Sequence, residues 1–199
     1  EVPPLQVCCG QPAYNTGDRQ TTRDIARQVI DAFEGFEAVV VPSGSCGGML
    51  SHHYPGLFDD DPGLKARAQD LAGRTYELMS FLVDVLGVKS VKARYEEVVT
   101  YHDSCSGLRE LKIKAQPRKL LASVAGLSLR ELPGAEICCG FGGTFSVNYP
   151  HISAAMGDLK LDHIRAVQPD VLVSADMSCL MHLGGLAQKE GRPIKVLHL

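Results

Sequence analysis

The feature that most restricts how this chain can fold is a repeat. Cys8-Cys9-Gly10 recurs 130 positions later as Cys138-Cys139-Gly140. The apolar run Val-Val-Val-Pro-Ser-Gly-Ser-Cys46 recurs 133 positions later as Val-Leu-Val-Ser-Ala-Asp-Met-Ser-Cys179. Two matches at nearly one offset mark a duplicated unit, and such a period takes precedence over local propensity. In each copy a Cys-Cys-Gly turn leads through a helical pattern to an apolar strand and then to a cysteine. Alternating strands and helices build a mostly parallel sheet, so the expected fold class is α/β with two duplicated, Rossmann-like modules. The division falls near Ala93, giving a first module over 1–93 and a second over 94–199.

Strands are expected at Ala38–Val41, Val98–Tyr101, Leu127–Leu132, Asp170–Val173 and Ile194–Leu197. Helices are expected at Thr21–Phe33, Leu64–Leu86, Leu108–Val124, Ile152–Val167 and Cys179–Lys189, with Pro117 kinking or splitting the third. In the second helix Leu71, Leu78, Met79, Leu82, Val83 and Leu86 share one face and read as core. The first copy lacks an opening strand. Cys105 precedes Cys138 by 33 positions, and the same spacing before Cys8 falls upstream of Glu1. The first module is therefore expected to be truncated at its N-terminus, with the native coding sequence beginning roughly 25–40 residues earlier and supplying an apolar strand followed by a cysteine, since a crossover between parallel strands needs a dozen residues or more.

Seven cysteines, an odd number with no secretion signal, fit metal ligation or redox chemistry better than a disulfide framework. In the second copy Cys105 follows a strand, Cys138 and Cys139 lie in a glycine-rich turn, and Cys179 follows another strand. The carboxyl ends of parallel strands share one edge, so these four thiols are expected to converge there. Thiolate sites select zinc or iron–sulfur clusters. A single zinc is usually held by cysteines a few residues apart, a spacing absent here, whereas adjacent cysteines can serve different irons of one cluster. The glycines after Cys139 allow positive φ and bring peptide N–H groups toward sulfur. The same segment departs from the dinucleotide fingerprint G-x-G-x-x-G because Phe145 stands at the last glycine position.

A formal net charge of −3 and no basic stripe argue against nucleic acid as a partner. No run approaches the roughly 18 apolar residues needed for a membrane span, and cytoplasm is the default location. Several polar residues carry ordinary readings. His52 and His53 are read as surface or packing residues, and Asp59-Asp60-Asp61 as the solvated start of a helix. His102 and Asp103 are read as a loop histidine and a helix N-cap, with turn orientation or proton movement as the alternative, and His182 lies one helical turn beyond Cys179.

The motifs Pro-Ser-Gly-Ser-Cys (42–46), Tyr-His-Asp-Ser-Cys (101–105), Cys-Cys-Gly-Phe-Gly-Gly-Thr-Phe (138–145) and Cys-Leu-Met-His (179–182) resemble those of the cysteine-rich CCG-domain family. That family includes the cysteine-rich component of heterodisulfide reductase and the iron–sulfur components of glycolate oxidase and anaerobic glycerol-3-phosphate dehydrogenase; the resemblance is strongest to its lactate-utilisation branch. It implies an iron–sulfur component in the oxidation of L-lactate, a small 2-hydroxy acid, to pyruvate, with a companion iron–sulfur subunit and a further operon-encoded subunit as partners. It also implies cluster ligation by Cys8, Cys9 and Cys46 in the first module and by Cys105, Cys138, Cys139 and Cys179 in the second. Heterodisulfide reductase-type modules end in Cys-x-x-Cys, but here Ser43 and Asp176 occupy the first of those positions. A four-thiolate 4Fe–4S cluster is therefore expected rather than a five-cysteine one. The alternatives are glycolate or glycerol-3-phosphate oxidation, thiol–disulfide chemistry, and a zinc-bound scaffold without catalysis.

Overall fold

The computed structural model describes all 199 residues. The chain begins with helices α1 (Gln11–Thr16) and α2 (Arg19–Ala32), then strand β1 (Val39–Val41), helix α3 (Gly44–Gly48), helix α4 (Pro62–Gly73), strand β2 (Thr75–Glu77) and the short helix α5 (Leu78–Ser80). Wider and tighter helical turns over Met49–Phe58 join α3 to α4. The second half contains β3 (Val98–Tyr101), α6 (Cys105–Arg109), α7 (Ala115–Leu121), β4 (Ser128–Leu129), α8 (Thr144–Asn148), α9 (Pro150–Ala166), β5 (Val171–Ser174), α10 (Met177–Lys189) and β6 (Lys195–His198). No helix is long and apolar enough to cross a membrane.

All strand pairs are parallel. β1 pairs with β2, and a four-stranded sheet runs β4-β3-β5-β6. The fold is α/β with parallel sheets. β5 shows why: Val171, Leu172, Val173 and Ser174 are all buried, as expected of a strand covered on both faces. Leu172 packs with Leu161, Ile164, Leu180 and Leu183 on one side of the sheet, while Val171 and Val173 pack with Val99, Tyr101 and Leu121 on the other. In the first half, Ala26, Val29 and Ile30 of α2 pack with Val39, Met49, Tyr54, Phe58 and Leu71.

The helix expected over Leu64–Leu86 is interrupted by β2. Leu71 joins the first core, whereas Met79 packs with Ile113 and Leu120, and Leu86 is exposed. Seven residues separate Leu71 from Leu78, so the helical period continues in register across a strand that lies between them. Tertiary pairing decides against it, because Thr75, Tyr76 and Glu77 meet the parallel edge of Val39, Val40 and Val41. Arg74 anchors the turn, its Nη1 donating to the carbonyls of Phe33 and Phe36. The third expected helix divides into α6 and α7 with Lys112 at positive φ, and Pro117 lies in the first turn of α7, where it causes no kink.

The halves meet at α3 and α6. A Cβ on Gly44 would lie 2.7 Å from the backbone nitrogen of Gly107, so this approach requires glycine at position 44. The starts of the two helices that carry Cys46 and Cys105 are thereby held against each other.

Candidate metal centre

Parallel strands place their carboxyl ends on one edge, and the cysteine segments leave from that edge. β3 runs into His102-Asp103-Ser104-Cys105, and β5 runs into Ala175-Asp176-Met177-Ser178-Cys179. The two are stitched together by His102 N donating to the Val173 carbonyl and Ser174 Oγ donating to the His102 carbonyl. Asp176 caps α10, accepting at Oδ1 from Ser178 N, and Ser104 caps α6, accepting from Gly107 N. The cap next to Cys105 is therefore Ser104 and not Asp103. Asp103 is instead buried and held by a bidentate ion pair with Arg118, at 2.9 and 2.8 Å.

The structure brings Cys105, Cys138, Cys139 and Cys179 together. Cys138 interacts with Cys105 and Cys139, and Cys139 with Cys179, the last two sulfurs lying within 4.8 Å of each other. Hydrogen bonds from Cys105 and Cys139, with the Gly140 N–H 3.4 Å from its sulfur, hold Cys138 far below the ordinary thiol range. The same bonds, and then burial, push Cys105 and Cys139 upward. A lowered Cys138 beside raised Cys105 and Cys139 is an arrangement that a cationic metal relieves, because each thiol ligand must lose its proton to bind.

Gly140 shapes the turn. Its φ is +92°, and a Cβ there would meet the Ser153 carbonyl oxygen of α9 at 2.5 Å. Beneath the thiols lie two buried nitrogen groups. His102 is fully buried, neither ring nitrogen has a hydrogen-bond partner, and one of them lies within 4.8 Å of both the Cys139 and Cys179 sulfurs. Burial lowers its pKa to about 3, so it is neutral. Lys160 of α9 is also fully buried and donates to the carbonyls of Gly134 and Ala135 at 2.7 and 3.0 Å. His182 stands beside the turn, its ring 6.0 Å from that of Phe141.

Cys8, Cys9 and Cys46 form a second, smaller set. The Cys9 and Cys46 sulfurs are 3.3 Å apart, and all three cysteines line an apolar groove of about 390 Å³ with Val29, Val39 and Leu50. A hydrogen bond with Cys9 lowers Cys46 to about 7, and Cys9 is correspondingly raised. Tyr54, fully buried, donates to the Cys9 carbonyl at 2.8 Å. Asp176 ties the sets together: its Oδ2 accepts from Ser45 N at 3.2 Å and from Ser43 Oγ at 3.5 Å. His52 and His53 stay outside, His52 with Ser51 Oγ and His53 against the Tyr14 ring and Glu110. Asp61 caps α4.

The donor set at the second site fits a soft metal centre. The Cys139 and Cys179 sulfurs and a ring nitrogen of the otherwise unpartnered His102 lie within 4.8 Å of one another, and the glycine turn aims an N–H at the neighbouring Cys138 sulfur. A profile described as CCG, cysteine-rich domain, matches residues 1–51 and 99–184. The chain belongs to the CCG cysteine-rich domain family. Its relatives include lactate utilization protein A 2 of Bacillus cereus strain AH820, 46% identical over all of this chain and 82% of the relative. They also include lactate utilization protein A of Oceanobacillus iheyensis, 48% identical over all of this chain and 81% of the relative, and lactate utilization protein A 1 of Bacillus anthracis strain CDC 684, 46% identical over all of this chain and 82% of the relative.

Three residues at this CCG-family site escape sequence reasoning: Lys160, Arg118 and the bridging role of Asp176. Lys160 and Arg118 read as helix-surface charges in a linear pattern. A signal for Lys160 does exist in the repeat, because at an offset of 131 the buried residues Thr22, Ala26, Val29 and Ile30 of α2 align with Ser153, Gly157, Lys160 and Leu161 of α9.

Proposed function

We propose that this chain is an iron–sulfur electron-transfer component of L-lactate utilisation, acting in the oxidation of lactate to pyruvate with a companion iron–sulfur subunit and a further operon-encoded subunit. The observation that carries the reading is the convergence of Cys105, Cys138, Cys139 and Cys179 beneath a glycine turn, beside the unpartnered His102. Relatives named for lactate utilization, similar over the whole chain, supply the substrate class. In this reading those four cysteines hold a 4Fe–4S cluster, and Cys8, Cys9 and Cys46 supply three thiolates to a second centre.

A bound cluster supplies one-electron redox chemistry. The chain itself supplies the surroundings. Gly140 N–H donates to Cys138, the neutral His102 ring fills the apolar side of the site, and Leu132, Leu161, Leu180 and Leu183 exclude water. Asp176 fixes the Cys46 turn against the Cys179 helix, so the two thiol sets keep a constant separation. Anaerobic purification with iron, acid-labile sulfide and EPR measurement tests the reading. Iron with matching sulfide is expected, and stoichiometric zinc without sulfide contradicts it.

A further inference from the structure

The two thiol sets occupy corresponding places in a repeated architecture, yet their buried surroundings carry different charge. α2 and α9 follow the two Cys-Cys-Gly turns and bury the same faces at an offset of 131: Thr22 with Ser153, Ala26 with Gly157, Ile30 with Leu161. Only one pair in this alignment changes character. Val29 lines the groove with Cys8, Cys9 and Cys46, and its counterpart is Lys160. No water reaches the Lys160 side chain, and its ammonium is fixed by two carbonyls in the segment that leads into Cys138.

We propose that Lys160 is a positioning residue that sets the reduction potential of the second site above that of the first, by placing a buried positive charge beside Cys138, Cys139 and Cys179 where the first site has Val29. The inference rests on the iron–sulfur reading given above. Adding an electron to a thiolate-bound cluster increases its negative charge, so a fixed cation close by in a low-dielectric interior favours the reduced form. Burial lowers the Lys160 pKa to about 8, opposed by electrostatic interaction with the cysteine set and Asp103, and the side chain stays mostly protonated at neutral pH. Its charge is not consumed elsewhere, since Asp103 is already paired with Arg118. The Asp176 carboxylate opposes ionisation of Cys46, but it also caps the helix that carries Cys179 and so is shared by the two sites, which leaves Lys160 as the charge that distinguishes them.

The test uses the anaerobically prepared full-length protein and its Lys160→Met, Lys160→Gln and Lys160→Arg variants. Gln retains a donor for the two carbonyls without the charge, and Arg retains the charge. Iron and sulfide are measured first in the unsubstituted protein; their absence overturns the cluster reading independently of Lys160. In iron-loaded protein an EPR-monitored reductive titration follows the signal that Cys138→Ser removes. At the poise where that signal is half reduced in the unsubstituted protein, Met and Gln are expected to shift the oxidised-to-reduced ratio about tenfold toward oxidised, about 59 mV for one electron. Arg is expected to stay within about twofold and the first-site signal to stay in place. In protein without iron, Co2+ titration of the reduced apoprotein reads the same charge, and Met and Gln are expected to weaken Co2+ binding at the Cys138 site about tenfold. Midpoints unchanged in Met and Gln, a shift shared equally by both sites, or, for protein without iron, unchanged Co2+ affinity would overturn the proposal.

Discussion

Replacing Gly140 with Ala tests how tightly the cysteine turn is held against α9. The substitution combines two costs. The first is a Cβ at φ +92°, a conformation that costs an L-residue about 1–2 kcal/mol. The second is contact: the new methyl would stand 2.5 Å from the Ser153 carbonyl oxygen and 2.8 Å from Met156 Cβ, and backbone cannot yield as a side-chain tip can. Overpacking of this kind adds about 1–3 kcal/mol, so Gly140→Ala should cost about 2–5 kcal/mol. Two other glycines isolate the terms. Gly17 has φ +80° and open space around it, so Gly17→Ala should show the backbone cost alone. Gly10 stands at the corresponding turn of the first copy, also at +80°, where a Cβ would meet the Ile25 side chain at 3.2 Å. The expected order of destabilisation is Gly140, then Gly10, then Gly17, measured by urea unfolding of the reduced, metal-free proteins with far-ultraviolet circular dichroism. Equal losses for Gly140→Ala and Gly17→Ala would refute the close approach of turn and helix.

Asp103→Ala removes the buried partner of Arg118, which keeps the exposed Glu131 and the Lys114 carbonyl, so the cost should be about 1–3 kcal/mol in the same urea assay; a loss under about 0.5 kcal/mol would show that the pair is solvated. Lys160 predicts a pH dependence. Its pKa is about 8 in the fold against an ordinary 10.5, so between these values the unfolded chain binds more protons and stability rises with pH. At about 1.4 kcal/mol per pH unit the rise amounts to about 3 kcal/mol between pH 8 and 10.5 in the metal-free protein, and it should be missing from Lys160→Met. Parallel stability curves for the two proteins would contradict the burial of the charge.

The repeat made the site legible because it fixes strand ends. Val98–Tyr101 is found where the apolar run places it, β5 and β6 lie within one residue of their expected bounds, and Cys105 and Cys179 each stand at or just after the start of the helix beyond a strand. What stayed hidden depends on partners distant in sequence. β2 exists because β1 offers it a parallel edge, and nothing between Leu64 and Leu86 announces a strand when the helical period passes through Thr75–Glu77 unbroken. The β4 run contracts to Ser128–Leu129 because only those residues pair with Val98 and Val99. Asp103 read as a cap because an acidic residue before a helix usually is one, and only the fold brings Arg118 to it. Gly44 gives no local signal, since the two helices must first be placed before its close approach to the Gly107 backbone is seen.

The proposed role of the four cysteines of the second site is decided by metal analysis of Cys138→Ser and Cys139→Ser beside the unsubstituted protein, all purified without oxygen. Cys138 lies outside the core formed by Leu161, Ile164, Leu172, Leu180 and Leu183, and at Cys139, which belongs to it, serine is close in size to cysteine, so circular dichroism and elution volume should be largely retained in both variants. Each variant should lose about four irons and about four acid-labile sulfides per chain together with one EPR signal, as expected for removal of a ligand from a 4Fe–4S cluster. Iron and sulfide contents equal to those of the unsubstituted protein in both variants would contradict ligation by the Cys138-Cys139 turn.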